Sequence, residues 1–259
     1  MRGARDLSLR VTEKLRSLLI PSTRVVVFTG AGVSAESGIA TFRGAQALWS
    51  SFRVEDYATP QAFLADPLKV WEWYNWRRKE ILKTGPNPGH LAIFEFERYF
   101  KDFTLITQNV DGLHDQAGNQ EILKLHGDIW ETRCSLCGNS AIDTDARREP
   151  LPPVCHCTGR MRPGVVWFGE SLPEIVYERA VSSAKRSGLF FSVGTSAEVY
   201  PAALLPCLAK QHGAYVVEVN IERTSAADLA DEVLLGKSGE VLPGFLKYFA
   251  VGYNHGRRG

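Results

Sequence analysis

Two close pairs of cysteines, Cys134-x-x-Cys137 and Cys155-x-Cys157, have the residue type and spacing of a metal site in this 259-residue chain. Four thiolates can enclose a tetrahedral zinc ion with no open position, which is typical of structural rather than catalytic zinc. His156 lies inside the second pair and is an alternative ligand. Four unrelated buried cysteines are the less favoured interpretation, because such pairing indicates zinc in a reducing compartment rather than disulfides.

A second concentration of polar residues occupies residues 107–114 (TQNVDGLH), at the end of a predicted strand. Gln108, Asn109 and Asp111 can hydrogen-bond to ribose hydroxyls or to an amide. Ligands of open α/β sheets bind at the carboxyl ends of the strands, which favours a binding role for these residues. The alternative is a turn rich in Asn and Asp that only caps a helix.

His126, in the sequence His-Gly-Asp, is a candidate general base, because imidazole titrates near neutral pH. The alternative is a purely structural histidine, which is the more common role of a lone histidine. The neighbouring Gly127 has no side chain, and we expect it to leave the imidazole ring open to a ligand.

Residues 30–43 (GAGVSAESGIATFR) follow an apolar, β-branched run at 25–29 that predicts a buried parallel strand. A strand followed by Gly-x-Gly-x-x-Ala is typical of a dinucleotide site. We expect Gly30 to permit a tight turn, Gly32 to let the backbone approach a pyrophosphate, and Ala35 to allow close packing. The motif alone is weak and needs support from other strand ends.

Three further strand ends carry small or polar residues that suit a nucleotide. These are Gly194, Thr195 and Ser196 after a predicted strand at 189–193, Asn220 and Glu222 after one at 215–219, and Ser238 after one at 232–235. The carboxyl ends of parallel strands share one edge of a sheet, so we expect these residues to surround one crevice.

The elements that must position these residues alternate as in an α/β sheet that is interrupted twice. The next strand after 25–29 is predicted at 103–107, so a helical segment stands where a dehydrogenase has its second strand. We predict helices over 9–19, 60–83, 88–99, 202–212 and 240–249, with a loop over 36–50. The predicted fold is a Rossmann-like parallel sheet domain (1–45, 100–128 and 166–259) with an inserted helical module (46–99) and a small zinc-binding domain (129–165).

The composition argues against several classes of partner. Hydrophobic residues make up 44% of the chain, enough for a sizeable core, and the net charge of +1 gives no indication of nucleic-acid or membrane binding. No apolar run is long enough to span a bilayer, and the start of the chain lacks the pattern of a secretory or transit signal. We therefore expect a cytoplasmic protein that is a monomer.

Seven ordered motifs together resemble the sirtuins, the NAD-dependent protein deacylases, from residue 25 to residue 249. They are the glycine-rich segment 30–43, residues 107–114, His-Gly-Asp at 126–128, the cysteine pairs, Val-Trp-Phe-Gly-Glu at 166–170, Gly-Thr-Ser at 194–196 and Asn-Ile-Glu at 220–222. The resemblance implies a Rossmann-like domain with a helical and a zinc module, which accounts for both interruptions.

The resemblance also implies the reaction. NAD is consumed as a co-substrate: the carbonyl oxygen of an acylated lysine attacks C1′ of the nicotinamide ribose and expels nicotinamide. His126 then acts as general base on a ribose hydroxyl, with Asn109 as a second catalytic residue. The products are free lysine, nicotinamide and O-acyl-ADP-ribose.

The same resemblance implies which residues form the site. The residues implied to bind NAD are Gly30, Ala31, Gly32, Ser34, Ala35, Phe42, Arg43, Trp49, Gln108, Asn109, Asp111, Gly194, Thr195, Ser196, Asn220, Glu222 and Ser238. Those implied to bind the substrate are Tyr74, Arg77, Phe168, Gly169, Glu170, Val199 and Tyr200. The four paired cysteines are the implied ligands of a structural Zn²⁺ ion.

Tyr74 and Arg77 are three residues apart in a predicted helix and therefore share one face. This Tyr-x-x-Arg resembles the marker of sirtuins that remove acidic acyl groups. Arg77 can bind a distal carboxylate through two parallel hydrogen bonds, and Tyr74 can add a third. We therefore expect removal of succinyl and malonyl groups besides acetyl groups. The alternative is an aromatic helix whose arginine extends to solvent.

Two residues depart from the sirtuin pattern: Ala40 stands where many members have proline, and Thr41 where deacetylases have aspartate. The first is expected to loosen the cofactor loop, and the second removes a negative charge near the acyl group.

Four functions compete with the favoured one: deacetylation without acidic preference, hydride transfer, NAD binding without turnover, and nucleic-acid binding by a zinc ribbon, for which a basic stripe is missing.

Overall fold

A six-stranded parallel sheet lies at the centre of the computed structural model, which describes residues 11–41, 52–147 and 149–253. Its strands are β1 (Arg24–Thr29), β2 (Asp102–Thr107), β3 (Ile122–Lys124), β7 (Leu189–Val193), β8 (Tyr215–Asn220) and β9 (Glu232–Leu235). Their order is β3-β2-β1-β7-β8-β9, and every neighbouring pair is parallel. All the predicted strands are confirmed, and in this sheet only the short edge strand β3 was not predicted.

The order of the strands reverses at β1, because later strands are added on both of its edges. β2 pairs with one edge of β1, with Thr29 opposite Thr107, and β7 pairs with the other edge, with Thr29 opposite Val193. The loops that leave β1, β2, β7 and β8 therefore emerge side by side, at the switch point where open α/β sheets bind ligands.

Helices cover both faces of the sheet. In chain order they are α1 (Glu13–Leu18), α2 (Ala31–Ala35), α3 (Val54–Tyr57), α4 (Pro60–Ala65), α5 (Pro67–Ile81), α6 (Pro88–Tyr99), α7 (Leu113–Ala117), α8 (Glu174–Arg186), α9 (Leu205–Gln211), α10 (Ser238–Val241) and α11 (Pro243–Tyr253). Short 3₁₀ helices occur at Ala202–Leu204 and Ser225–Asp228. Within the described ranges, no helix has the length and apolar character needed to cross a membrane.

Each face of the sheet has its own hydrophobic core. Val25 and Val27 pack on one face with α6 and α11, whereas Val26 and Phe28 pack on the other with α8 and α9. Successive side chains of a strand point to opposite faces, so the continuous apolar run of β1 is buried on both sides. Although the predicted helical module includes α6, Phe96 of this helix packs in the core of the sheet.

The predicted helix over 60–83 is two helices, α4 and α5, which are separated at Asp66. Pro67 disfavours helical backbone at the residue before it. The Asp66 carboxylate accepts a hydrogen bond from the N–H of Lys69 at 3.0 Å and so caps α5. This break fixes the start of the helix that carries the Tyr-x-x-Arg pair.

A second sheet is antiparallel and has three strands, β4 (Gly127–Cys134), β5 (Ser140–Ile142) and β6 (Met161–Val165), in the order β5-β4-β6. This sheet carries the paired cysteines.

Helix α8 follows the second sheet and was not predicted. Among its side chains only Ala180 and Ala184 are buried, so its sequence lacks a stripe of large apolar residues.

Arg78 joins α5 to this second sheet, and its side chain is completely buried. The guanidinium donates to the main-chain carbonyl of Ile129 at 2.8 Å and forms an ion pair with Asp143 at 3.1 Å. It also lies 5.4 Å from the ring centre of Trp71 and 5.8 Å from that of Trp130. A buried charge is tolerated only when it is paired and hydrogen-bonded, so helix and sheet must dock in one arrangement.

We predict that Arg78→Met lowers the free energy of unfolding by about 3–5 kcal/mol, because the substitution removes the guanidinium that pairs with the buried Asp143 carboxylate and donates to the Ile129 carbonyl. Arg98→Met is the matched control, since Arg98 pairs with Glu95 at the surface and its loss is expected to cost less than about 1 kcal/mol. Denaturant unfolding followed by circular dichroism measures both losses. Equal losses in the two variants contradict this role for Arg78.

Candidate functional site

The glycine-rich turn after β1 packs directly on the loop after β7. The N–H of Gly30 donates to the carbonyl of Val193 at 3.0 Å, and the N–H of Gly32 donates to that of Gly194 at 2.8 Å. A Cβ atom on Gly32 would lie 2.8 Å from the main chain of Gly194. Contact between the two loops therefore requires glycine. The carbonyl of Gly30 accepts the N–H of Val33 at 3.1 Å, which closes the expected tight turn, whereas Ala35, which we expected to pack closely, is exposed.

The polar residues that end β2, β7 and β8 meet beside this turn. Gln108 Nε2 donates to Thr195 Oγ1 at 2.8 Å, and Asn220 Nδ2 donates to the main-chain oxygen of Thr195 at 3.0 Å. Asn109 Nδ2 donates to the carbonyl of Gly30 at 3.0 Å. The expected convergence of four strand ends on one crevice is therefore observed.

Ser34, in α2, is the centre of a buried hydrogen-bond network. The N–H of Asn87 donates to His90 Nδ1 at 3.3 Å, so the neutral ring carries its proton on Nε2 and donates to Ser34 Oγ at 3.4 Å. Burial lowers the pKa of His90 to about 4 and so keeps the ring neutral. Asn109 Nδ2 also donates to Ser34 Oγ, at 3.2 Å. The Ser34 hydroxyl is left as a donor, and it lowers the pKa of the Asp111 carboxylate.

His90 was not predicted to belong to the site. It lies in α6, more than fifty residues from Ser34 in sequence, and only the packing of α6 against the turn after β1 brings the two together. Its sequence signal is the Asn-Pro-Gly-His run at 87–90, in which Asn87 and His90 form a reciprocal helix cap. That cap fixes the tautomer of the imidazole.

Asp111 is buried, and its Oδ1 accepts the N–H of Leu113 at 2.9 Å. Burial raises the pKa of Asp111, whereas the Ser34 hydroxyl and the Arg77 guanidinium act in the opposite direction. A narrow cavity adjoins this carboxylate. Its lining includes Ala31, Ser34, Arg77, Asn109, Val110 and Asp111. The cavity thus joins residues predicted to contact nicotinamide and its ribose with the arginine predicted to read the acyl group.

His126 lies immediately before β4, and the main chain after β2 holds its imidazole. Nδ1 is 3.0 Å from the carbonyl oxygen of Gln108. A carbonyl only accepts, so Nδ1 carries the ring proton and Nε2 keeps its lone pair. Burial lowers the pKa of His126, although the Gln108 carbonyl opposes that shift. The ring is therefore neutral near neutral pH, which is the form a general base needs.

Gly127 has a φ of +75°, and a Cβ atom there would lie 2.2 Å from the carbonyl oxygen of Gly164. Glycine is needed at this position because β4 and β6 lie close together. We had expected it instead to leave the imidazole open to a ligand. Asp128 is also structural, since it accepts from Lys124 Nζ at 2.6 Å and from the N–H of Trp130 at 2.8 Å. Of the His-Gly-Asp motif, only the histidine has an atom left for chemistry.

Tyr74 and Arg77 lie one turn apart on α5, and both are buried. Arg77 Nη2 donates to the main-chain carbonyl of Ala40 at 2.9 Å, and burial lowers the pKa of the guanidinium, an effect that Asp111 opposes. The Tyr74 hydroxyl oxygen accepts the indole N–H of Trp167 at 2.9 Å, and burial raises the pKa of Tyr74. The alternative of an arginine that extends to solvent is therefore wrong.

The residues predicted to contact the peptide lie in two segments, 168–170 after β6 and 199–200 after β7. Phe168, Gly169 and Tyr200 are exposed, and Val199 is half-buried. The N–H of Phe168 donates to the carbonyl of Ala58 at 3.0 Å, which ties the first of these to the helical segment. Glu170 instead turns inward, where its carboxylate pairs with Arg162 and accepts the N–H of Trp167 at 2.8 Å.

The remaining predicted cofactor residues have different surroundings. Ser196 and Glu222 are exposed, whereas Ser238 is buried and donates to Glu36 Oε1 at 2.8 Å. Glu36 was not predicted; its carboxylate joins α10 to the end of the glycine-rich turn. Phe42, Arg43 and Trp49 lie outside the described residues.

The four paired cysteines form a candidate metal centre, with all their sulfur atoms within 4.8 Å of one another. The sulfurs of Cys134 and Cys157 are 3.5 Å apart, and those of Cys137 and Cys155 are 3.8 Å apart. Zinc–sulfur bonds of about 2.3 Å place two ligands of a tetrahedral ion about 3.8 Å apart. The N–H groups of Cys137 and Leu136 lower the pKa of Cys134 to about 6, which favours the thiolate. The donor set therefore fits structural zinc.

We predict that the purified protein contains one zinc ion per chain and that its removal lowers the melting temperature, because four unbound thiolates cannot hold β4 and the turn before β6 together. Elemental analysis and thermal unfolding, before and after treatment with a chelator, measure the two effects. Cys137→Ser should lose the metal, whereas the control Cys207→Ser, outside the cluster, should keep it. A metal-free protein of unchanged stability contradicts the assignment.

The comparisons with known proteins agree with this geometry. The model described as "Sir2 family" matches residues 30–201. The chain is 50% identical over 227 residues to "NAD-dependent protein deacylase 2" of Pyrobaculum aerophilum, which covers 87% of this chain and 91% of that protein. It is 51% identical over 208 residues to an "NAD-dependent protein deacylase" of Aquifex aeolicus, which covers 80% and 87%. A solved complex of a Sir2 homologue with NAD is 44% identical and superposes with a TM-score of 0.86 over 94% of this chain and 95% of that one. This chain belongs to the Sir2 family, the sirtuins.

Proposed function

We propose that this chain is an NAD-dependent protein-lysine deacylase that prefers succinyl and malonyl groups over acetyl groups. The position of Arg77 carries the preference: its buried side chain lines the same cavity as Asn109 and Asp111. An acyl group that reaches the nicotinamide ribose would therefore end beside a guanidinium. The names of the Pyrobaculum and Aquifex relatives support the general activity.

The residues around the crevice fit NAD. Thr195 and Asn220 lie where ribose hydroxyls need partners, and glycine at positions 30 and 32 keeps side chains off the turn. Bound NAD supplies a ribose carbon that becomes electrophilic as its bond to nicotinamide breaks. Both amide hydrogens of Asn109 are used within the chain, so its Oδ1 is the atom left to accept from a ribose hydroxyl. Asp111, whose Oδ1 accepts the N–H of Leu113, can accept an N–H of the carboxamide at its other oxygen.

His126 is the general base in this proposal. Its Nδ1–H is held by the Gln108 carbonyl, so Nε2 is the basic atom and faces no competing tautomer. Nε2 removes the proton of a ribose hydroxyl, which strengthens that oxygen as a nucleophile toward the acyl carbon. Because burial lowers the pKa of His126, we expect the acid limb of the pH–rate profile below pH 6.5.

Recognition of an acidic acyl group depends on Arg77 and Tyr74. The guanidinium offers a planar pair of donors that matches a carboxylate, and burial strengthens such charge-assisted hydrogen bonds. The negative charge of the Asp111 carboxylate raises the pKa of Arg77 and so offsets part of the cost of burying the guanidinium. The substrate carboxylate would compete for the donor that Arg77 gives to the Ala40 carbonyl.

The hydrogen bond from Arg77 to the Ala40 carbonyl favours a second candidate function, a deacetylase without acidic preference. If Arg77 keeps its bond to Ala40, the residue only supports the chain that leads into the cofactor loop, and an acetyl group needs no cation. Hydride transfer is the less favoured function, because among the described residues the next strand after β1 is β2, beyond helices α2–α6, so no described strand places an acidic residue close after the glycine-rich turn. Formation of NADH, followed at 340 nm, separates hydride transfer from deacylation.

We predict that His126→Tyr abolishes acyl transfer while the fold is retained, because the substitution removes the base but keeps an aromatic ring in the pocket. Release of nicotinamide and O-acyl-ADP-ribose is followed by mass spectrometry, with circular dichroism for the fold. His212→Tyr, at an exposed histidine, is the matched control and should retain full activity. An active His126→Tyr variant rules out His126 as the base.

For Arg77→Met we expect the ratio of kcat/KM for succinyl-lysine to that for acetyl-lysine peptides to fall about 10- to 100-fold, the value of a charge-assisted pair worth about 1.5–3 kcal/mol. Lys79→Met removes an exposed cation from the same helix and should leave the ratio unchanged. Matched peptides that differ only in the acyl group give the comparison. A wild-type protein that favours acetyl-lysine, with succinyl activity kept in Arg77→Met, contradicts the acidic preference.

A further inference from the structure

Trp167 is a buried tryptophan for which neither the zinc site nor the reaction provides a role. It is 3% exposed and lies between β6 and the exposed Phe168. Its ring packs in the same core cluster as α5, with the ring of Phe63 at 5.4 Å. Packing alone does not require an indole here, since a smaller aromatic ring can fill apolar space without a polar atom. The polar atom is therefore the feature to explain.

The indole N–H of Trp167 determines the direction of one hydrogen bond. Nε1 can only donate, and it donates to the Tyr74 hydroxyl oxygen at 2.9 Å. The hydrogen of the Tyr74 hydroxyl cannot occupy the side of the oxygen that accepts the indole N–H. It must therefore point in another direction. Tyr74 is thereby kept as a donor toward other partners, and Arg77 lies one turn further along the same helix.

Arg162 and Glu170 together hold Trp167 in this orientation. The Arg162 guanidinium lies 3.5 Å from the centre of its ring, and Arg162 Nη2 donates to a Glu170 oxygen at 2.9 Å. That same Glu170 oxygen accepts the main-chain N–H of Trp167 at 2.8 Å. Arg162 belongs to β6, so the second sheet clamps both ends of the residue. Such a clamp keeps the donor fixed before any ligand binds, which lowers the entropy lost on binding.

We propose that Trp167 is a specificity-determining positioning residue, whose indole N–H orients the Tyr74 hydroxyl so that it donates to the distal carboxylate of an acidic acyl group. The inference rests on the proposed preference for succinyl- and malonyl-lysine, because an acetyl group has no carboxylate for Tyr74 to bind. Trp167 acts only through Tyr74 and needs no contact with the substrate.

A merely structural tryptophan is the alternative, and the chain contains a matched control for it. Trp71, also on the interface between α5 and the second sheet, is fully buried and donates its indole N–H to the main-chain carbonyl of Met161 at 2.9 Å. Trp71→Phe and Trp167→Phe each remove one indole N–H from this interface. Only the second removes it from Tyr74.

The test is a double-mutant cycle with Trp167→Phe, Tyr74→Phe and the double variant, measured with matched succinyl- and acetyl-lysine peptides. We expect Trp167→Phe to lower the ratio of succinyl to acetyl kcat/KM about 3- to 10-fold, the value of one oriented hydrogen bond. In the Tyr74→Phe background the same substitution should change the ratio by less than about twofold, because no hydroxyl is left to orient. Trp71→Phe should leave the ratio unchanged.

The inference is wrong if Trp167→Phe leaves the ratio unchanged, or lowers it equally in both backgrounds, while Arg77→Met still lowers it. If Arg77→Met also leaves the ratio unchanged, the acidic preference itself is wrong, and the inference is overturned with it. Should Trp167→Phe fail to fold, benzothienylalanine at position 167 keeps the shape of the indole but replaces its N–H by sulfur. The same ratios apply to that variant.

Discussion

The buried ion pair between Arg78 and Asp143 constrains the structure more than any other interaction described above. An unpaired charge at this position would cost several kcal/mol, so α5 and the second sheet can meet in one arrangement only. The position of Arg77 in the cavity follows from the same docking, because Arg77 and Arg78 are neighbours on one rigid helix. A contact remote from the cavity thus sets where the Arg77 guanidinium lies.

Hydrogen-bond direction organises the other half of the site. Starting from the N–H of Asn87, each group is left with one remaining role: His90 accepts at Nδ1 and becomes a donor to Ser34, whose hydroxyl is then left to donate. The Gln108 carbonyl fixes the tautomer of His126 in the same way. Such chains need no ligand to form, so the polar groups are oriented before NAD binds, which is the basis of electrostatic preorganisation.

Features that depend on local pattern could be predicted from the sequence. The β-branched run of β1, the polar strand ends and the paired cysteines each carry their signal within a few residues. Features that depend on contact between distant segments could not. Glu36 and Trp167 acquire partners only in the folded chain, and the glycine at position 127 is required by a strand that comes thirty-seven residues later.

Two adjacent arginines on α5 serve different neighbours, and this has a consequence for how such a protein can change over evolutionary time. One residue of an α-helix corresponds to a rotation of about 100°, so Arg77 faces the cavity while Arg78 faces the second sheet. A substitution at position 77 alters one neighbour only. An insertion or deletion of a single residue before position 77 rotates both arginines by about 100° and takes each of them away from its neighbour. Position 77 is therefore open to point mutation, whereas the length of the helix before it is constrained.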